Sequence, residues 1–512
     1  MICQQKQARS AISDVLGIGV LFLTLLALTA CQTERTVSLE EAKQITATFD
    51  DSTFTPPPRT ISDITEFLDK HATTGSEALK AMQVRADSEP PAGVSGPALG
   101  KFYLVRAEAA RLLGRHRQGI TDATKAIALK VPRPRPPLIV LQTIHEELGN
   151  YAEAAEFARR SLNHSGSSGG SVFDNGLLSI ALAYLGDFEG AAAAFGRMQN
   201  KMPETYNWIS AWGPYAQAFG LIVEGQNHHI MGKHSDAEAK FRKAVTDIED
   251  QIAGGYGENE PSYAGGTVGD KRRMLNAYAL RLLASSLAGQ GRLAEAEVAA
   301  RDAVIGQLRH FGRYSGQTVE GLGALTEVLG EQGRYEEAAT LARVTVEIYE
   351  RMGAGRDSAT LAVARQTLAE AYVGMGRWDE ALNQFSLIKA GLESDLDTFQ
   401  RRFASNLSWS VAWLETGRTD EAMTVAQLAY RHNQRLMGAK HYNTAASQGV
   451  LAMVLAKLGK HDEALAAFSQ AVPTLLSRSR GSDGEATNQA ARGKRVGMIL
   501  ESYIDLLSSI RG

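Results

Sequence analysis

Residues 332–338 read Gln-Gly-Arg-Tyr-Glu-Glu-Ala. The glycine suits the left-handed turn that closes a helix, the two glutamates suit the first turn of the next, and Ala338 leaves room for a partner helix to cross closely. Eight more segments share this grammar. The nine glycines are Gly114, Gly149, Gly186, Gly232, Gly291, Gly333, Gly376, Gly417 and Gly459. Five residues after each lie Gly119, Ala154, Ala191, Ala237, Ala296, Ala338, Ala381, Ala422 and Ala464. A stack of helical hairpins accounts for the pattern, so the expected fold class is all-α, a right-handed α-solenoid.

Other positions support the same register. Four residues past the small position stand Phe195, Phe241, Phe385 and Phe468, with alanine in the other repeats. Seven residues before the glycine the residue is small in eight of nine repeats: Ala107, Ser179, Gly225, Ala284, Thr326, Ala369, Ser410 and Ala452, with Gln142 the exception. The glycine spacings are 35, 37, 46, 59, 42, 43, 41 and 42, so the last five turns keep a period near 42.

The turns resemble the central turn of the tetratricopeptide repeat, and the likeness extends over about four fifths of the chain. The loop Gly438-Ala439-Lys440-His441-Tyr442-Asn443-Thr444-Ala445 resembles those of kinesin-light-chain-like repeats. In bacteria, 42-residue repeats of this kind commonly precede a CHAT protease domain with a His/Cys pair. No such domain is visible here, and a CHAT-type peptidase system with its catalytic part outside this chain is the alternative reading.

At 512 residues the chain is too long for one growing core and suits an elongated array. A net charge of −3 provides no global field for nucleic acid. Lys6 and Arg9 precede an apolar run, Val15 to Ala27, of secretory-signal length. Leu28-Thr29-Ala30-Cys31 then resembles a bacterial lipobox, which implies cleavage after Ala30 and a diacylglycerol on Cys31. The other cysteine, Cys3, lies in the removable segment. Gln32 follows in place of the aspartate that retains such lipoproteins at the inner membrane, so the expected location is the cell envelope, facing the periplasm, with the outer membrane favoured.

The expected organisation is a signal peptide (1–30), a tether with short helices (31–98), repeats 1–4 (99–252), a glycine-rich loop (253–270), repeats 5–9 (271–480) and a C-terminal capping or continuing helix (481–512). In the tether, helices are expected around Leu39 to Thr48, Ser62 to His71 and Glu77 to Ala86, with a linker from Ser88 to Pro97. The last helix places Val496, Ile499, Leu500, Tyr503, Ile504, Leu507 and Ile510 on one face, where a cap, a continuing domain or a partner would sit. The loop is expected to be mobile, with a lid over the groove as the alternative.

Signals for bond chemistry are poor. His228, His229 and His234 lack metal-ligand spacing. Pairs such as Glu336-Glu337 and Asp379-Glu380 sit in first helical turns, where they complement the helix dipole. The chain is therefore expected to be non-catalytic, without metal or cofactor.

The tetratricopeptide resemblance implies that first helices line a concave groove and contact ligand at thirteen, ten and six residues before the turn glycine. These positions are Tyr278, Arg281 and Ser285 in repeat 5 and Glu320, Gly323 and Glu327 in repeat 6. In repeats 3 and 4 they are Phe173, Gly176, Ile180 and Phe219, Ile222, Gln226. The Lys/Asn carboxylate clamp of chaperone-tail binders is absent. Two patches complete the candidates: an aromatic one of Tyr206, Trp208, Trp212, Tyr215 and Phe219, and a basic one of Lys271, Arg272, Arg273 and Arg281. The aromatic residues either stack on a peptide or fill the junction left by the 46-residue spacing. The expected function is a scaffold lipoprotein that binds protein or peptide partners in its groove.

Overall fold

In the computed structural model the chain divides into two units, Met1–Thr55 and Pro56–Gly512. The structure describes residues 55–165, 169–205, 212–255, 257–261, 266–439, 441–479 and 489–511. The apolar run before Cys31, Cys31 itself and the helix expected around Leu39 to Thr48 lie outside the described residues.

The second unit is the expected all-α solenoid. Repeats 1 to 4 pair Gly96–Leu112 with His116–Ala128, Arg135–Glu147 with Tyr151–Leu162, Gly170–Tyr184 with Phe188–Thr205, and Trp212–Ile230 with His234–Ala253. Repeats 5 to 7 pair Val268–Gly289 with Leu293–Phe311, Gly316–Glu331 with Tyr335–Met352, and Ala359–Met375 with Trp378–Gly391. Repeats 8 and 9 pair Leu407–Glu415 with Thr419–Met437 and Tyr442–Lys457 with His461–Ser479. A short extra helix, Leu396–Arg402, precedes repeat 8.

Every turn glycine adopts φ between 66° and 79°, a region costly for residues with a Cβ. The next residue sends its N–H back into the helix just ended, as Arg334 does to the Leu329 carbonyl (2.9 Å) and Arg377 to that of Tyr372 (2.9 Å). This satisfies carbonyls that a helix end would otherwise leave unpaired.

The small positions are buried where the hairpins cross. Ala154, Ala237, Ala296, Ala381, Ala422 and Ala464 are fully inaccessible, and a Cβ on Gly119 would lie 2.7 Å from Ile144 Cδ1. The position seven before the glycine is equally tight, since a Cβ on Gly225 would lie 2.6 Å from Phe241 Cε1. Serine is tolerated there because its hydroxyl finds a partner in its own hairpin. Ser179 donates to the Ala191 carbonyl and Ser410 to that of Ala422, both at 2.8 Å.

Residues 56–88 fall within the stretch read from the sequence as a tether with short helices. Helices Ser62–Lys70 and Ser76–Asp87 form close to where they were expected, but they pack on the array, with Ile64, Leu68 and Ala86 in the core. Polar contacts fix this strap to the second helices of repeats 5 and 6. Arg301 pairs with Asp63 and donates to the Thr60 carbonyl (2.8 Å), the Ile61 N–H reaches Glu337 (3.1 Å), and Gln83 reaches the Arg351 carbonyl (3.1 Å). Arg301 itself is 4% exposed and held by the buried Glu297 carboxylate.

The solenoid also closes on itself. Arg115, just after the turn of repeat 1, donates to the Gly353 carbonyl (3.0 Å) before repeat 7, and Gly114 packs on Ser358 and Thr360. Arg402, on the extra helix, donates to the Glu147 carbonyl at the end of the first helix of repeat 2. Repeats 1 and 2 thus rest on the start of repeat 7 and on the extra helix that follows it.

The C-terminal helix, Gln489–Arg511, takes the place of another first helix. Ile499 fills the space above Gly449, where a Cβ would lie 2.7 Å from its Cδ1, and Tyr503 stacks on Phe468 at 4.9 Å. Its inward stripe is Ile499, Tyr503 and Leu506, whereas Ile504 and Ile510, placed on the packing face by the sequence pattern, are 63% and 50% exposed. Described parts of the glycine-rich loop are anchored: Glu258 pairs with Arg273, and Thr267 and Asp270 form a capping box.

Ala338→Leu is expected to cost about 1–3 kcal/mol by overpacking the crossing, and Gly225→Ala to be destabilising although alanine is the better helix former. Urea melts followed by circular dichroism would measure both. Melts equal to wild type for both variants would show that the crossings are looser than described.

Candidate functional site

The closed turn borders a half-open chamber of about 800 Å³. One wall comes from the first helices of repeats 5 to 7, through Arg281, Ser285, Glu320, Gly323, Glu327, Glu331, Val363 and Glu370. Arg111 of repeat 1, Glu146 and Glu147 of repeat 2, and Arg402 line it from the closing side. His229 and His234 approach from the turn of repeat 4.

The chamber is strongly charged, and its arginines are committed to internal partners. Arg111 pairs with Glu147 (2.8 Å), which also meets the buried His116 (3.0 Å). Arg281 pairs with Glu320 (2.8 Å) and lies over the Tyr278 ring, 5.2 Å from its centroid. The Glu147 carboxyl is held below its usual range because Arg111 and His116 outweigh its burial. Burial pushes the Glu146 carboxyl up to about 7, with Glu147 adding to the rise against the Gln142 hydrogen bond and Arg111. Glu327 is also pushed up to about 7, by burial first and then by the like charge of Glu370, with Arg281 opposing and Glu331 adding. Its side chain remains accessible within the half-open chamber.

Of the groove positions expected from the sequence, those of repeat 6 all line the chamber, and so do Arg281 and Ser285 of repeat 5. Tyr278 stands behind Arg281, with its hydroxyl donated to Gln226 (2.7 Å). The described residues of the aromatic patch pack against one another. Phe219 is 8% exposed and sits 5.2 Å from Phe173, Tyr215 sits 5.7 Å from Phe173, and Trp212 meets Tyr215 edge-on at 5.4 Å. Phe173, Tyr215 and Phe219 fill the wide junction between repeats 3 and 4, and burial pushes the Tyr215 hydroxyl up to about 12. Trp208 and Tyr206 lie outside the described residues.

The basic patch is not a receiving surface either. Arg272 is wholly buried and donates to Gln251 (3.1 Å), while Arg273 is taken by Glu258. Of the histidines, His229 and His234 meet edge to face, 4.9 Å between ring centroids. His229 Nδ1 lies 2.9 Å from the Ser286 hydroxyl and 3.3 Å from His234 Nδ1, and burial, then His234, pushes His229 down to about 4. Among the described residues no group of three His, Cys, Asp or Glu side chains is placed to hold a metal ion.

Sequence reasoning missed Val363 and Glu370, although the repeat-6 register carried one repeat further leads straight to them. It also missed Arg111, Glu146, Glu147 and Arg402, which reach the chamber only because the superhelix closes.

Family models described as tetratricopeptide repeat match residues 277–302, 319–352 and 410–477. The chain is a tetratricopeptide-repeat protein. The matched segments fall in repeats 5, 6, 8 and 9, and the hairpin geometry extends the repeats to both sides. No curated protein matches the chain. Similar solved structures include nearly identical tetratricopeptide-like repeats of a putative kinesin light chain from Podospora anserina, at 19% identity over 40% of this chain and 97% of that one, with a TM-score of 0.30. BtubC from P. vanneervenii matches at 16% identity over 48% and 91%, with a TM-score of 0.35. Aspartyl phosphate phosphatase F from Bacillus subtilis matches at 10% over 75% and 95%, with a TM-score of 0.42.

The raised carboxyls set a pH dependence. Between 4.5, the ordinary value, and about 7, the folded protein holds protons that the unfolded chain has released, so these groups make the fold less stable as pH rises through that window. Glu327→Gln is expected to melt higher than wild type at about pH 8 and nearly with it at about pH 4.5. Differential scanning calorimetry across the range checks this, and a pH-independent difference would show that Glu327 does not titrate there.

Proposed function

We propose that this protein is an envelope lipoprotein, anchored through Cys31, whose tetratricopeptide-repeat chamber captures a peptide or an extended segment of a protein partner. A chamber of about 800 Å³ on the inner face of the closed turn, lined at the register positions of repeats 5 to 7, is the observation that carries the binding reading. The Leu28-Thr29-Ala30-Cys31 tetrapeptide supports the anchor. Among the described residues no helix is long and apolar enough to cross a membrane. Action would be by positioning. Anchoring confines the chamber to one surface, so a partner on the same membrane meets it at high effective concentration.

A photo-crosslinking residue at position 323 tests the binding reading. A Cβ there meets no atom within 4 Å, so the probe would point into open space. Cross-linking to a defined partner is expected in cells, and prior blocking of the chamber by Gly323→Trp should abolish capture at a second reporter placed at Val363. Capture at Val363 unaffected by the tryptophan would overturn the chamber as the site. Separately, Cys31→Ser is expected to release the protein from the membrane fraction and to remove a lipid adduct seen by mass spectrometry; retention with no adduct in the wild type would refute lipidation.

A further inference from the structure

One cluster of polar and charged side chains occurs twice, at consecutive repeats, once covered and once open. Between repeats 5 and 6 it consists of Glu297 and Arg301 from one second helix, with Gln332, Arg334 and Glu337 from the turn and helix start that follow. Between repeats 4 and 5 the same register holds Glu238, Arg242, Gln290, Arg292 and Glu295. Of the nine repeats, only the fourth and fifth place a glutamate six residues after the turn glycine. The internal bonds match. Glu297 accepts from Arg301, Gln332 and Arg334, each at 2.9 Å, and Glu238 accepts from Arg242 (2.7 Å), Gln290 (2.8 Å) and Arg292 (2.6 Å).

The covered copy shows what such a cluster holds. Asp63 of the strap takes the Arg301 guanidinium, which also donates to the Thr60 carbonyl (2.8 Å), while Glu337 accepts the Ile61 N–H (3.1 Å) and Arg334 donates to the Arg59 carbonyl (3.1 Å). Its occupant is a non-helical stretch that enters a helix with a carboxylate in the first turn. In the open copy Arg242 turns instead to Glu295 (3.0 Å), the counterpart of Glu337. The side chains of Arg242 and Arg292 are 47% and 40% exposed, against 5% and 22% for Arg301 and Arg334. Among the described residues, nothing outside repeats 4 and 5 bonds to the open cluster.

Beyond the clusters the two grooves diverge. Under the strap, Leu308, Val344 and Ile348 share one apolar core with Ile64 and Leu68. The same register in the open groove holds Glu249, Asp302 and Gly306. Asp302 and Gly306 border a hollow of about 260 Å³, and burial, then the charge of Glu249, pushes the Asp302 carboxyl up.

We propose that the groove between the second helices of repeats 4 and 5 docks a segment of a protein partner that begins as the strap does and then departs from it. The segment carries an aspartate or glutamate in its first helical turn, held by Arg242, and a lysine or arginine where the strap has Ile64 or Leu68, set over Glu249 and Asp302. On docking, Arg242 exchanges Glu295 for the incoming carboxylate, and Glu295 receives the incoming N–H, so no buried charge is left unpaired. None of these groups lines the chamber.

The probe is a fluorescein-labelled peptide of residues 57–71 carrying Leu68→Arg, titrated into the full chain by fluorescence anisotropy. Saturable binding is expected, weakened about tenfold or more by Arg242→Ala in the protein or by Asp63→Asn in the peptide, and the two changes should not be additive. The unaltered strap peptide should bind more weakly than the probe, and Glu249→Lys, as a second variant, should reverse that order. Circular dichroism melts check that each variant folds. No saturable binding, or binding insensitive to Arg242→Ala, would overturn the docking site. Equal affinity for the two peptides would overturn the basic residue. A concentration-dependent dimer in sedimentation velocity that Arg242→Ala abolishes would make the occupant a second copy of this chain and overturn the partner.

Discussion

The chamber exists because one edge of the superhelix rests on another. Within a hairpin, helices are held by buried alanines and phenylalanines, and each repeat needs only its neighbours. Arg115 on the Gly353 carbonyl, Gly114 against Ser358, and Arg402 on the Glu147 carbonyl join segments more than two hundred residues apart. Remove those contacts and the hairpins persist, but the inner face becomes an open groove. Glu146 and Glu147 would then no longer face Glu327 and Glu370.

The two kinds of contact differ in strength. A hairpin crossing buries apolar surface at close-packed density and tolerates little change of volume. The closing contacts are mainly hydrogen bonds and ion pairs in partly exposed positions, each worth on the order of 1 kcal/mol. Local opening is therefore expected first at the closure and not within a repeat, which provides a way in for a ligand. The strap over residues 56–88 works against opening, since it packs on the second helices of repeats 5 and 6 and runs into repeat 1, with Arg115 also paired to Asp87 at its end.

Hairpins, their boundaries and the small crossing positions were legible because each rests on local chemistry, a glycine that must turn left and an alanine that must not grow. The groove register was legible for the same reason, and it found Arg281, Glu320 and Glu327. It failed at Phe219 because repeats 3 and 4 sit at a wide junction that their own aromatics fill, and the separate reading of a basic patch failed at Arg272 because its half-buried Gln251 partner leaves no trace in spacing. Closure was illegible in principle. It depends on a small rotation accumulated over six repeats, and no single residue of Arg402 or Glu147 announces it.

Glu327 and Glu370 bear on what the chamber is for. Solenoid stability needs neither: the same register position holds Ser285 in repeat 5, Val411 in repeat 8 and Met453 in repeat 9, and those repeats fold alike. Placing two carboxylates on one wall of the chamber disfavours the ionised form, as the upward displacement of Glu327, by burial first and then by the charge of Glu370, records. That cost is relieved when the carboxyl takes up a proton, so the closed turn carries least like-charge repulsion below about pH 7.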